Sequence, residues 1–338
     1  MIDRLRYNTK DSLMRLLKDS LMRLLKEGRQ HMAEKIQNLG NVLARCQLCP
    51  RRCGVNRLGG QTGFCRAGLS PRIARAALHF WEEPCISGKR GSGAVFFSHC
   101  NLRCVFCQNA CISHQGWGKD ISIERLAEIF LAHEANGAHN LNLVTPTVWT
   151  PHILDALDRA KAAGFSLPVV YNSSGYEAPE TIEALAGQVD IYLPDLKYYS
   201  ERPARLFSQA TDYFWHASRA IELMAAQIGQ PVFDGSGIMR RGMIVRHLAL
   251  PGLLEDSKNI ISYLFHTYGN SVYLSLMNQY TPLGPTLPPP LNRPLPADDY
   301  DRLVDYAAAL GWENAFMQEG SATVSESFIP PFDLTGVD

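Results

Sequence analysis

Between residue 94 and about residue 280, short apolar runs alternate with longer amphipathic stretches. The runs are Ala94–Phe97, Leu141–Val144, Pro168–Tyr171, Asp190–Leu193, Met243–Leu248 and Ser271–Leu276. Each is short and almost continuously hydrophobic, as expected of a strand buried on both faces. The stretches between them, Ile123–Ala135, Pro151–Ala163, Glu180–Ala186, Tyr213–Gln227 and Leu254–Tyr268, place apolar residues at helical spacing. This alternation predicts βαβ units and a parallel sheet covered by helices. Six such units make most of a (β/α)8 barrel. The predicted fold class is therefore α/β, a partial (β/α)6 TIM-type barrel with an N-terminal helical and Cys-rich extension.

The flanks have a different character. Residues 1–40 read as a polar helical segment, in which Lys10–Leu17 recurs unchanged as Lys18–Leu25. Leu13, Leu17, Leu21 and Leu24 form an apolar stripe among basic residues. A membrane-surface helix would look similar, but a charged stripe of this kind more often covers the body of a protein as a solvated face. Residues 41–90 are Cys-rich, with 71–93 read as a loop leading into the first strand. Residues 91–281 are the core barrel. Residues 282–338 begin with Pro282, Pro285, Pro288, Pro289, Pro290, Pro294 and Pro296, seven of the 20 prolines. That density excludes helix and central strand there, and we read the segment as a strap along the barrel rather than a lid. A last helix at Ala297–Leu310 and a tail follow.

Composition narrows the classes. The 338 residues, 46% hydrophobic and 20% charged, suit a globular chain of one large domain with appendages. Thirty-three basic residues against 33 acidic ones argue against a general nucleic-acid partner. No apolar run reaches the roughly 18 residues of a membrane helix, and neither a signal peptide nor an acid-poor transit peptide opens the chain. The nine cysteines are odd in number, and most fall in two tight groups. A long chain without a leader makes metal ligation the better reading than a disulfide scaffold, and hence a reducing cytoplasm.

The first group is Cys46-x2-Cys49-x3-Cys53, completed by Cys65 beyond Gly59, Gly60 and Gly63. Four thiolates suit either zinc or a four-iron cluster. The second is Cys100-Asn-Leu-Arg-Cys104-Val-Phe-Cys107, directly after the first strand. Three thiolates hold three irons of a cubane and leave the fourth open, where four would close it. An open metal position is the mark of a catalytic rather than a structural site. Cys85 reads as a lone buried thiol or as support for one of the metal sites, and Cys111 has no assigned role. The other predicted strands end in polar residues: Thr145-Pro-Thr147, Asn172-Ser-Ser174, Asp195-Leu-Lys197 and Arg246-His247. Singly these suit ordinary turns. Together, at the C-terminal mouth of a barrel, they suit a polar, charged small molecule.

Cys-x3-Cys-x2-Cys after the first strand of a partial barrel resembles the radical S-adenosylmethionine (SAM) superfamily, over about residues 90–280. The stretches around Glu82–Gly88, Phe96–Asn109, Leu143–Thr147, Val169–Tyr176, Asp190–Lys197, Arg246–Gly252 and Met277–Tyr280 are similar to pyruvate formate-lyase-activating-enzyme homologues. The four-Cys segment is similar too, which extends the likeness to about residues 44–328. The resemblance implies a 4Fe–4S cluster on Cys100, Cys104 and Cys107 with SAM on the open iron. It implies an electron donor such as flavodoxin or ferredoxin, and a 5′-deoxyadenosyl radical that takes hydrogen from a substrate. Glycyl-radical-enzyme activation and protein or peptide modification are the two substrate classes it suggests. By the same resemblance Asp195 and Lys197 match an Asp-x-Lys that contacts SAM, with Lys197 on the carboxylate and Asp195 toward the ribose or a cation. His247 matches a histidine near SAM, and Phe106 an aromatic near the adenine. The usual Gly-Gly-Glu after the second strand is replaced by Val144-Thr-Pro-Thr147, so the Thr145 hydroxyl or backbone carbonyls would hold the SAM amine. Asn172-Ser173 stands where activating enzymes carry an Asp-Thr pair, so Ser173 is expected near the cofactor without a cation site. A competing class is a non-catalytic iron–sulfur or zinc protein of electron transfer or sensing. It accounts for the cysteines but not for the polar strand ends.

Overall fold

The structure, a computed structural model, describes residues 41–283, 287–318 and 329–338. The helical reading of residues 1–40 lies outside the described residues.

In chain order the elements are β1 (Arg72–His79), α1 (Pro84–Ser87), β2 (Ser92–Phe97), α2 (Ala110–Ser113), β3 (Lys119–Asp120), α3 (Ile123–Ala135) and β4 (Leu141–Val144). Then come α4 (Thr150–Ala162), β5 (Val169–Ser173), α5 (Pro179–Ala184), β6 (Ile191–Pro194), α6 (Glu201–Ser208) and α7 (Tyr213–Ile228). The chain ends with β7 (Val232–Phe233), β8 (Met239–Leu248), α8 (Leu254–Tyr268), β9 (Tyr273–Met277), α9 (Ala297–Leu310) and β10 (Ala315–Met317). One sheet runs β10-β9-β8-β6-β5-β4-β2-β1-β3, with β7 paired to β8. From β2 to β10 every pairing in that order is parallel. β1 and β3 are antiparallel additions at one edge. The fold is thus α/β with a mostly parallel central sheet.

All six anticipated strands are present. The count rises to seven parallel strands because β10, only three residues long, pairs with β9 at Ala315–Leu274 through Met317–Leu276. The reading of residues 71–93 as a loop is corrected. They hold β1, which pairs with β2 across a register shift between Ile73 and Arg75, and α1.

Local chemistry explains the boundaries. Ser122 caps α3 by accepting the Arg125 N–H at 3.1 Å. Pro151 and Pro179 sit in the first turns of α4 and α5, where a missing N–H is tolerated. Gly311, at φ 99°, ends α9 in the left-handed region.

Strand alternation divides the interior in two. Val95, Leu143, Tyr171, Tyr192 and Val245 pack with the helices in the main core. Val170, Ile191, Leu193 and Ile244 face the other way and pack on Cys85 and Ile86 of α1. The segment before β2 therefore fills the inner side of the sheet. Burial pushes the Cys85 thiol up to about 12, as expected of a small buried hydrophobe. The tail lies along β1, where Leu334 donates to the Ala74 carbonyl and Ala76 to that of Thr335. Leu287 and Leu291 of the Pro-rich segment are buried, and the Tyr280 hydroxyl donates to the Leu291 carbonyl at 2.5 Å.

Candidate active site

The loop after β2 is built to turn three thiols inward. His99 and Arg103 take positive φ of 73° and 52°, a backbone state uncommon for residues with a Cβ. The His99 N–H donates to the Ile112 carbonyl at 2.9 Å, Val105 to Phe207 at 2.8 Å, and Cys107 to Cys104 at 3.0 Å. Leu102 anchors the loop and is fully buried. Each sulfur receives a donor: the Leu102 N–H reaches Cys100 Sγ at 3.4 Å, Ser208 Oγ reaches Cys104 Sγ at 3.0 Å, and Ser113 Oγ reaches Cys107 Sγ at 3.2 Å. Sulfurs that accept hydrogen bonds are suited to the thiolate state. In the chain alone, burial pushes all three thiols up, Cys104 to about 12. Loading with a metal must therefore displace protons and supply the positive charge that burial lacks.

The three cysteines line a cavity of about 1000 Å³ together with Phe106, Thr145, Ser173, Asp195 and Lys197. That lies at the top of the range for ligand pockets, roughly 300–1,000 Å³. The neighbouring strand ends converge there because parallel strands all present their C-terminal ends to one side. Phe106 is buried against Tyr280, centroids 6.1 Å apart. Thr145 has φ 60°, and its N–H donates to the Asn172 carbonyl at 2.9 Å. Lys197 Nζ donates to Asp195 Oδ2 at 2.5 Å. Burial alone would lower the Lys197 pKa, but the Asp195 carboxylate together with Cys104 and Tyr213 more than offsets it, and the net direction is up. The backbone of this pair is held by Tyr213, whose hydroxyl accepts the Lys197 N–H at 3.0 Å and shares its proton between the Ser174 and Asp195 carbonyls at 2.8 and 2.9 Å. Gly175 passes under it at φ 76°, where a Cβ would meet the Asp195 carbonyl oxygen at 2.2 Å; only glycine fits.

His247 is corrected. It alternates with Arg246 on β8, so Arg246 faces the cavity and His247 does not. Its Nδ1 bonds the Leu196 carbonyl at 2.7 Å and its Nε2 the Ser257 hydroxyl at 2.9 Å. A carbonyl only accepts, so Nδ1 carries the proton, Nε2 accepts, and no ring nitrogen is left for a cofactor. Burial also holds its pKa down.

Two features were not anticipated as site residues. Glu82 and Glu83 line the inner wall and both bond Arg246. The Arg246 Nε donates to Glu83 Oε1 at 2.8 Å and Nη2 to Glu83 Oε2 at 2.6 Å. Glu82 also accepts from Asn142 Nδ2 at 2.8 Å. Burial raises the Glu83 carboxyl, but Arg246 more than offsets it, and the net direction is down. The doublet Glu-Glu-Pro was visible in the sequence, whereas its partner lies 163 residues away.

The second feature is Glu177, fully buried and not itself part of the cavity lining. It accepts from Thr147 Oγ1 at 2.7 Å and from Tyr171 OH at 3.4 Å. With no cation to offset it, burial raises its pKa to about 7. The folded value exceeds the unfolded one, so stability falls as pH rises from about 4.5 to about 7 and is fully present only below that window. Glu177→Gln should remove this slope, so that its melting temperature at pH 8 falls less below that at pH 5 than in the parent chain. Equal slopes in thermal melts would remove Glu177 as the cause.

The four-cysteine segment docks beside the same loop. Cys46 and Cys49 are buried, Cys65 partly buried and Cys53 exposed. Gly63 lets the chain close on Cys53, since a Cβ there would lie 2.5 Å from Cys53 Sγ. Arg57, 1% exposed, lies among these thiols, with Cys46, Cys65 and Cys53 all acting on its charge. Its Nε and Nη1 donate to the Gly68 and Val148 carbonyls at 2.7 and 2.8 Å, and the guanidinium also reaches the Cys46 thiol. A buried guanidinium among thiols fits a site whose ligands become thiolates. Among the described residues, no three His, Cys, Asp or Glu side chains are already drawn in around a single-ion position. Cys111 packs against the buried cluster of Ala74, Ala94, Phe96 and Ile112 and does not line the cavity.

No helix among the described residues is long and apolar enough to cross a membrane. The chain is 29% identical over 282 residues to the uncharacterized protein MJ0674 of Methanocaldococcus jannaschii, an alignment that covers 81% of this chain and 77% of that protein. Among solved structures it is similar to Streptococcus suis SuiB bound to S-adenosylmethionine, at a TM-score of 0.44 and 15% identity, covering 66% of this chain and 49% of SuiB. SuiB bound to precursor peptide SuiA gives a TM-score of 0.42 and 13% identity, covering 66% and 47%. The chain thus spans about half the length of SuiB. Residues 94–240, which hold the three-thiol loop and the strand ends bearing Thr145, Ser173, Asp195 and Lys197, match the family description of the radical SAM superfamily and form a radical SAM superfamily domain.

Proposed function

We propose that the protein is a radical SAM iron–sulfur enzyme that takes hydrogen from a protein or peptide substrate, with glycyl-radical-enzyme activation as one form of that chemistry. The observation that carries the reading is the convergence of Cys100, Cys104 and Cys107 on one cavity with Asp195 and Lys197. A non-catalytic iron–sulfur protein has no use for that cavity. When bound, the cluster and SAM supply an electron and a 5′-deoxyadenosyl radical.

The chain's own residues position these groups. Cys100, Cys104 and Cys107 would hold the cluster as thiolates. Lys197, paired with Asp195, would neutralise the SAM carboxylate, and Asp195 would serve the ribose or a cation. Phe106 would serve the adenine. The Thr145 hydroxyl, on a main chain turned into the left-handed region, or nearby backbone carbonyls would take the SAM amine, and Ser173 lines the same cavity. In this reading the seven parallel strands are a partial barrel filled from within by the 80–88 segment. Residues 41–90 carry a second metal site, zinc or 4Fe–4S, on Cys46, Cys49, Cys53 and Cys65. Residues 91–281 are the catalytic core and 282–338 the strap, last helix and tail. A flavodoxin or ferredoxin in the cytoplasm supplies the electron, and Phe80 and Trp81, both about half exposed, rim the substrate entrance.

The test is anaerobic reconstitution with iron and sulfide, then dithionite and SAM. 5′-Deoxyadenosine is the expected product, whereas a reducible cluster that never cleaves SAM would support the electron-transfer alternative. Lys197→Ala should weaken SAM binding by roughly 1.5–3 kcal/mol, the worth of a charge-assisted contact, or about tenfold to a hundredfold in Kd. Unchanged affinity by calorimetry would remove Lys197 from the SAM site.

A further inference from the structure

Arg51 lies on the turn between Cys49 and Cys53, closed by the Arg52 N–H on the Cys49 carbonyl at 3.0 Å. Its guanidinium leaves that segment and donates to three main-chain carbonyls of the other site. Nε reaches Asn101 at 3.1 Å, Nη1 reaches Gln209 at 2.5 Å and Nη2 reaches Ser208 at 3.0 Å. Asn101 belongs to the three-thiol loop. Ser208 is the last residue of α6, and Gln209 caps that helix at φ 50°. Helix C-termini leave carbonyls without partners, and a cation there is favourable.

Two further contacts fix the guanidinium plane. It lies 3.8 Å from the centroid of the Phe64 ring, one residue before Cys65, and 5.4 Å from that of Tyr176. The Asn101 side chain in turn donates to the Tyr176 carbonyl at 2.6 Å. A planar fork with three separate acceptors is a geometry that lysine cannot reproduce. What Arg51 holds in place matters for the thiols. The Ser208 hydroxyl is the donor on Cys104 Sγ, and the Val105 N–H is fixed by the Phe207 carbonyl.

We infer that Arg51 is a positioning residue that clamps the four-cysteine segment to the three-cysteine loop and thereby sets the reduction potential of the cluster held there. The inference rests on the proposed cluster at Cys100, Cys104 and Cys107. Hydrogen bonds to cluster sulfurs and nearby charge are what set such potentials. Both the positive charge of Arg51 and the hydroxyl it keeps on Cys104 favour the reduced, more negative state. A metal bound by Cys46, Cys49, Cys53 and Cys65 would stiffen the turn that carries Arg51. The two thiol groups would then be coupled through Arg51, alongside the weaker contact of Arg103 Nη1 on the Phe64 carbonyl at 3.4 Å, without a shared ligand.

The test uses the full chain, reconstituted anaerobically and titrated by paramagnetic resonance, following the reduced-cluster signal that changes when SAM is added. Arg51→Gln should shift the midpoint of that signal to lower potential. Replacing Cys46, Cys49, Cys53 and Cys65 together by serine should give a shift of the same sign. Combining the two should give clearly less than the sum of the single shifts, because both act through Arg51. In the metal-free chain, Arg51→Gln should also speed amide exchange over residues 100–107 and 206–209. A wild-type potential in Arg51→Gln, or shifts that simply add, overturns the clamp. If Arg51→Gln fails to fold, Arg51→Lys takes its place, with a smaller downward shift expected and an unchanged midpoint counting against the inference. A parent chain with no SAM-responsive signal overturns the enzyme reading itself. Amide exchange then decides the clamp separately, and rates equal to the parent's refute it.

Discussion

Cys104→Ala should abolish 5′-deoxyadenosine formation while the protein stays folded. Cys104 is the middle thiol of the loop and 7% exposed. Its sulfur accepts the Ser208 hydroxyl, a bond that becomes worthwhile once the thiol is a thiolate. Removing it leaves two thiols for three irons, and a cubane held at two corners is not expected to persist. The stability change should be small by comparison. The loop is held by Leu102 and by main-chain bonds at His99, Val105 and Cys107, none of which involves the sulfur of Cys104. Iron content, circular dichroism and a 5′-deoxyadenosine assay on the same preparation check all three statements. Continued production of 5′-deoxyadenosine would falsify the cluster assignment.

Arg246→Leu should be the most damaging single change to stability. Arg246, Glu82 and Glu83 have side chains only 13%, 8% and 6% exposed. Two carboxylates already share one guanidinium, so removing it leaves both buried without a cation. Breaking a buried ion pair from one side costs about 3–5 kcal/mol, a large fraction of the roughly 5–15 kcal/mol that stabilises a typical domain. The sign of the pH dependence is also set. In the parent chain the Glu83 pKa is depressed, so its contribution is present above the ordinary value of 4.5 and lost as pH falls through the folded value. In Arg246→Leu the unpaired Glu83 carboxyl would be raised instead by burial, and acid would relieve it. The gap between the two proteins in urea unfolding should therefore narrow between pH 7 and pH 5. Adding Glu82→Gln and Glu83→Gln should recover part of the loss. A gap that widens toward pH 5 would show that the ion pairs are not its origin.

The six apolar runs were legible because a strand buried on both faces is predominantly apolar along its whole length. The elements that were not legible failed for local reasons. β1 contains Ala74, Ala76 and Ala77, weak strand formers, and its register shift breaks the two-residue period. β10 is too short to show a period at all. α6 carries Pro203 three residues in, which reads as a breaker although the first helical turn accepts it. His247 was misplaced for a related reason. Its neighbourhood was right, but which of two adjacent residues faces inward depends on register, and a one-residue step reverses the face.

The amino-acid sequence by itself determined the three-thiol loop, the four-thiol segment and the mostly parallel sheet, because each depends on spacings within a few residues or on a repeated period. Tertiary structure decided the rest. It brought Glu82 and Glu83 to Arg246, left Glu177 buried without a cation, turned His247 away from the cavity, and laid Arg51 across Asn101, Ser208 and Gln209. These are contacts between residues far apart along the chain, and their energies come from burial and charge pairing. Neither exists until the sheet has packed on the 80–88 segment and the cysteine-rich segment has docked beside it.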